Sequence, residues 1–208
     1  MLLIGPNRSP YTRRVAITLN IYGIPYEQRP LSGFDDRAEV RAFNPLGRIP
    51  ALVLDDGDTL VDSGAILDHL DELHGRERAL IAPSGPERRA VLRACAVLMG
   101  VCDKVLQAAY HRNHVPAEKR HRPWIDDCTA QARAALTSVE ATIAPDASHL
   151  LLDHLTHADV AAVVAERFAR GGLGIDTVKE MPRLAALTNK LNARPDFQVI
   201  EHPRTAFS

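Results

Sequence analysis

The chain has no long apolar run, no excess of either charge, little cysteine and no internal repeat. Its apolar start, Met1 to Ile4, lacks a basic lead and is interrupted by Gly5-Pro6, so it fits neither a signal peptide nor a membrane span, and a cytoplasmic protein is expected. Lys plus Arg number 25 against 26 Asp plus Glu. That balance leaves no net field to gather nucleic acid or an anionic membrane, which turns attention to a small molecule or another protein as partner. Cys95, Cys102 and Cys128 lie far from any Gly-rich turn and lack the close spacing of metal ligands. Cys95 and Cys102, seven residues apart, share a helix face and read as buried thiols. Without repeats, low-complexity tracts or charge blocks, the 208 residues are left to build one large domain or two small ones around a real core.

What is present is a change of class along the chain. Leu2-Leu3-Ile4 followed by Gly5-Pro6-Asn7 reads as a strand and a turn. Ser9-Pro10 supplies an N-cap with proline at the first helical position, for a helix through Tyr22 that stops at Gly23. Pro25 to Leu31 resembles a second strand, and Asp35-Asp36 opens a helix that reaches Phe43 before Asn44-Pro45. Ala51 to Leu54 and Thr59 to Val61 flank Asp55-Asp56-Gly57-Asp58, a hairpin signal, and Asp62-Ser63-Gly64 starts another helix. A βαβ unit followed by an antiparallel hairpin implies a mixed sheet. The Pro- and Gly-containing stretch after it reads as a linker. Long amphipathic segments at Glu87 to Tyr110 and Trp124 to Ile143 then make the remainder helical. The expected division is 1–78, a linker at 79–86, and 87–208.

Three turns carry candidate chemistry. Ser9-Pro10-Tyr11-Thr12 has the spacing of a dithiol redox motif with hydroxyls in place of both thiols, which excludes self-contained disulfide exchange there. The Ser9 hydroxyl is then either an N-cap alone or a donor to an incoming thiolate beside the positive helix end. Asn44-Pro45-Leu46-Gly47-Arg48-Ile49-Pro50 joins a turn to a strand; Pro50 is either an ordinary trans proline or a cis one that frees the Ile49 backbone N–H and C=O for a peptide-like ligand. In Thr156-His157-Ala158-Asp159 the Thr156 hydroxyl and Asp159 carboxylate form a capping box, which makes Asp159 a folding residue. His111, His114 and His121 sit among Arg112, Lys119, Arg120 and Arg122, so no metal is expected there.

With these residues in this order the chain resembles the glutathione transferase family, most closely its serine-type bacterial and plant branches. The resemblance implies an N-terminal thioredoxin-like α/β domain, a mixed four-stranded sheet with three helices, followed by an all-α helical-bundle domain. It implies glutathione as co-substrate, with Ser9 at its sulfur and Ile49 pairing by backbone with its cysteinyl part next to a cis Pro50. Asp62 and Ser63 would hold the γ-glutamyl ammonium and carboxylate, and Arg48 or Arg37 the glycyl carboxylate. Tyr11, Tyr110, Trp124 and Phe168 are candidates for lining an electrophile pocket. The implied activity is attack of the glutathione thiolate on a small electrophile. Glutathione-dependent reduction or lyase chemistry and a non-catalytic glutathione-binding module are the alternatives. A homodimer is implied as well. One inter-subunit acid that some members carry is replaced here by Met99, so either Asp103 substitutes for it or that inter-subunit contact is absent.

Overall fold

The computed structural model describes residues 1–202, in two compact units: 1–79 together with the segment from Arg194 onward, and 80–193. In the first unit β1 (Leu2–Ile4), β2 (Glu27–Arg29), β3 (Ala51–Val53) and β4 (Thr59–Val61) form one sheet in the order β2-β1-β3-β4. β1 pairs parallel with β2 and antiparallel with β3, and β3 pairs antiparallel with β4. The mixed sheet follows from the connections: a helical crossover permits the parallel pair, and the Asp55–Asp58 turn allows only an antiparallel one. Among the described residues the α-helices of this unit are α1 (Pro10–Ile21), α2 (Arg37–Val40) and α3 (Ser63–His74).

Two elements are shorter than expected. β2 spans only Glu27–Arg29, because Pro25 before it and Pro30 after it lack the N–H a ladder needs. α2 is a single turn, and the Asp36 carboxylate before it accepts from the Ser32 N–H at 2.8 Å and makes no cap bond to the helix. Beyond Val40 the Ala42 and Phe43 amides bond three residues back, the tighter pattern of a helix ending.

α1 is buried along nearly its whole length, from Thr12 to Leu19, which a one-faced amphipathic helix would not be. It contacts β1, α3 and the short 3-10 turn Pro195–Phe197. The second domain was expected to run to the C-terminus; instead residues 194–202 return to the first unit. There Asn20 Nδ2 donates to the carbonyls of Asp196 and Gln198, Asn7 Nδ2 donates to the Ile200 carbonyl, and Arg13 pairs with Glu201 at 2.6 Å. Phe197 is fully buried, and its burial supplies the driving force that the linker-and-bundle reading of the sequence lacks.

The second unit is helical throughout: α4 (Gly85–His114), α5 (Arg122–Glu140), α6 (His157–Leu173), α7 (Thr177–Glu180) and α8 (Pro182–Asn192). α6 begins in the expected capping box. Asp159, fully buried, accepts from the Thr156 N–H at 2.8 Å and the Thr156 hydroxyl at 3.0 Å. Its other oxygen accepts from the Leu150 N–H at 2.6 Å and so also fixes the loop before the helix. Among the described residues no helix is long and apolar enough to cross a membrane.

Candidate functional site

The register of the sheet decides where chemistry can gather. Ile4 of β1 lies opposite Ala51 of β3, and Ala51 lies opposite Val61 of β4. Because β3 runs against both neighbours, the turn leaving β1, the loop entering β3 and the turn leaving β4 all emerge at one end of the sheet. Those are the segments holding Ser9, Ile49-Pro50 and Asp62-Ser63. Arg29 of β2 pairs with Ile4 in the same row, so the loop toward Arg37 leaves from that end too.

At the first turn Ser9 caps α1, its Oγ accepting from the Thr12 N–H at 3.3 Å. A hydroxyl that accepts one bond still has its proton to give, so capping and donation to a ligand are compatible. The two hydroxyls of the turn differ: Ser9 is half-buried, whereas Thr12 is fully buried and its Oγ1 has no hydrogen-bond partner among the described residues. Only the first is open to a ligand. Tyr11 is half-buried on the same turn.

Gly5 holds this turn against the Pro50 loop. It has φ +125°, and a Cβ there would lie 2.6 Å from Thr12 Oγ1 and 3.0 Å from Ile49 Cβ. A side chain would therefore be strained and would force the two segments apart. The Ile49-Pro50 peptide is cis, Pro50 is buried, and Ile49 is half-buried. The loop before it is tied by Asn44, whose Nδ2 donates to the Arg48 carbonyl at 2.9 Å and whose Oδ1 accepts from the Leu46 N–H at 3.0 Å. Arg48 is exposed, as is Arg37, whose Nε donates to the Gly33 carbonyl at 3.1 Å and whose guanidinium stands 5.9 Å from the Phe34 ring.

At the third turn Asp62 is exposed and caps α3, accepting from the Gly64 N–H at 2.8 Å, with φ 68° and ψ 132°. That conformation costs a non-glycine residue about 1–3 kcal/mol and persists only where the surroundings impose it. Ser63 is buried, and its Oγ accepts from Arg14 Nη2 of α1 at 2.7 Å. Arg14 is a member of this cluster that sequence reasoning misses. Its only trace there is a pair of arginines inside an otherwise apolar helix.

The remaining aromatic candidates belong to the second unit. Tyr110 on α4 is 40% exposed and meets His114 edge-on, Trp124 on α5 carries the Lys104 ammonium 5.9 Å from its ring, and Phe168 on α6 is half-buried. Cys102 and Cys128 are buried and Cys95 partly so. Burial pushes the Cys128 thiol up and Asp127 adds to this, against the lowering effect of Lys104, so this cysteine is not poised as a nucleophile. No group of three or more His, Cys, Asp or Glu that would hold a metal ion occurs among the described residues.

A four-stranded mixed sheet with a serine hydroxyl capping its first helix is followed by a helical unit, the order of a thioredoxin-like domain and an all-α domain. Residues 3–78 match the family described as glutathione S-transferase, N-terminal domain. The chain is 34% identical to a maleylacetoacetate isomerase of Pseudomonas aeruginosa, over 92% of this chain and 91% of that protein. It is 30% identical to the mouse maleylacetoacetate isomerase, over 95% and 89%. Among solved structures, a glutathione S-transferase of Methylobacterium radiotolerans in complex with glutathione sulfonate superposes with a TM-score of 0.87 at 27% identity, covering 98% of this chain and 99% of that one. A glutathione transferase family member from Pseudomonas fluorescens with bound glutathione gives 0.85 at 29%, with the same coverage. The chain belongs to the glutathione S-transferase family, in the branch of the maleylacetoacetate isomerase-like and bacterial members.

Proposed function

We propose that the chain binds glutathione at the end of the sheet where its three turns converge, and stabilises the thiolate for attack on a small electrophile. The observation that carries this reading is the row Ile4, Ala51, Val61, which brings Ser9, Ile49 and the Asp62-Ser63 pair to one edge. In this reading the Ser9 hydroxyl donates to the sulfur and, with the helix N-terminus, favours the thiolate over the thiol. The Ile49 backbone pairs with the cysteinyl residue. Asp62 and Ser63 receive the γ-glutamyl ammonium and carboxylate, and Arg48 or Arg37 the glycyl carboxylate. Tyr11, half-buried on the turn that holds Ser9, is proposed to stand beside the electrophile. No covalent enzyme intermediate is required, because the nucleophile arrives with the co-substrate. The glutathione sulfonate and the glutathione bound to the two structural relatives support the choice of thiol.

A second reading of the reaction has its own support. The identity to maleylacetoacetate isomerases favours a cis–trans isomerisation, in which the thiolate adds to an activated double bond, the resulting single bond rotates, and the thiolate leaves again. Glutathione would then be neither consumed nor oxidised. A homodimer is proposed on the family resemblance, and sedimentation as a single 22.8 kDa species would contradict it.

The test is turnover by Ser9→Ala. With an aryl halide or a cis unsaturated dicarboxylic ketone as acceptor, the rate should fall about 10²–10³-fold, the usual loss of one stabilising donor, while glutathione affinity stays nearly unchanged. An unaltered rate removes Ser9 from the mechanism. Product analysis separates the reactions: a conjugate means transfer, oxidised glutathione means reduction, and an isomer with glutathione recovered means isomerisation.

A further inference from the structure

Arg14 lies on the second turn of α1, only 8% exposed, and its Nη2 donates to Ser63 Oγ at 2.7 Å. A guanidinium has donors and no acceptor, so in this contact the serine oxygen must be the acceptor and its own proton is turned elsewhere. Ser63 is the first residue of α3, where the backbone amides and the helix dipole already favour an anion. The Asp62 carboxylate stands at the same place. A Cβ on Gly64 would be 3.3 Å from Asp62 Oδ1 and 3.8 Å from Arg14 Nη2, so an anion and a cation flank one side-chain-free position. Opposite charges a residue's width apart at a helix start are complementary to a zwitterion: ammonium toward Asp62, carboxylate toward the Ser63 proton.

We propose that Arg14 is a positioning residue for the α-carboxylate of the ligand's amino-acid head, acting through Ser63 by fixing its hydroxyl as a donor. This rests on the reading that glutathione is the ligand and extends it to a residue of α1. The consequence is selectivity: the site should reject thiols that lack the head carboxylate, and that rejection should depend on Arg14.

The test is calorimetric titration of wild type, Arg14→Met and Arg14→Lys with glutathione and with 4-aminobutyryl-cysteinyl-glycine, which keeps the amine and lacks the carboxylate. Wild type should prefer glutathione. Arg14→Met should weaken glutathione binding roughly tenfold or more, the usual size of a lost charge-assisted bond, and leave the analogue unchanged. Arg14→Lys should fall between and restore part of the preference. If Arg14→Met fails to fold, the same comparison with Arg14→Lys decides, since a shorter point charge still alters the Ser63 contact. Equal losses for both ligands would overturn the proposal and leave Arg14 a scaffold residue, with glutathione binding intact. Absence of glutathione binding by the wild-type protein would overturn the parent reading as well.

Discussion

Replacing Asp159 with alanine isolates what one buried carboxylate contributes to the second unit. A capping box alone predicts a loss of about 0.5–2 kcal/mol. Here the side chain also accepts from Leu150, nine residues earlier, so its removal orphans two buried backbone N–H groups, those of Leu150 and Thr156. At about 1–3 kcal/mol for each, the expected loss is about 4 kcal/mol, larger than a cap and spread over the loop as well as the helix. For a chain of this length, about 2–4 °C is lost per kcal/mol, which puts the fall in Tm at roughly 8–16 °C. Asp159→Asn keeps the shape and one acceptor oxygen but turns an amide N–H₂ toward a donor, so it should lose a substantial part of the same energy. Urea unfolding followed by the fluorescence of Trp124, the single tryptophan, and by far-ultraviolet circular dichroism measures both variants. Glutathione affinity of the folded fraction should not change. A loss below about 2 kcal/mol for Asp159→Ala would refute the added role of the Leu150 bond and return Asp159 to a simple cap.

Asp62→Gly should separate stability from binding: glycine removes the penalty of φ 68° and gives up only a few tenths of a kcal/mol as an N-cap. The melting point should hold or rise while glutathione affinity falls; the reverse pattern would make Asp62 structural. The C-terminal segment should loosen in acid. Asn7 N–H donates to His202 Nδ1 at 3.2 Å, which requires a neutral imidazole. Burial lowers the His202 pKa most, Arg8 lowers it further, and Glu201, held by Arg13, opposes them. With the folded value depressed, the unfolded chain takes up the proton first. The contribution is complete above about 6.5 and is lost as pH falls through the folded value. An NMR titration placing His202 at or above the ordinary imidazole value would refute this.

Much of the site is legible because its parts are local. Ser9-Pro10, Asp62-Ser63-Gly64 and Thr156 to Asp159 satisfy helix ends with side chains two or three residues away, so residue type and spacing suffice to place them. The hairpin between β3 and β4 is legible for the same reason: a four-residue acidic and glycine turn leaves few ways to connect two strands. α2 is read too long because beyond Val40 the Ala42 and Phe43 amides turn to carbonyls three residues back, and nothing in the residue types marks where that tighter pattern begins.

By itself, then, the sequence determined the element order of about the first 75 residues, the mixed sheet, the helical character of the second unit, the caps and the three turns that carry the candidate chemistry. Those features depend on bonds between near neighbours and on periodicity, both written directly in residue order. Only the tertiary structure decided that Ile4, Ala51 and Val61 form one row, that Arg14 meets Ser63 across 49 residues, and that Asn7 is held by His202 across 195. Such partners are chosen by strand register and by which buried donor finds which acceptor once the core has closed, and a buried arginine or a returning C-terminal segment has no spacing to announce it.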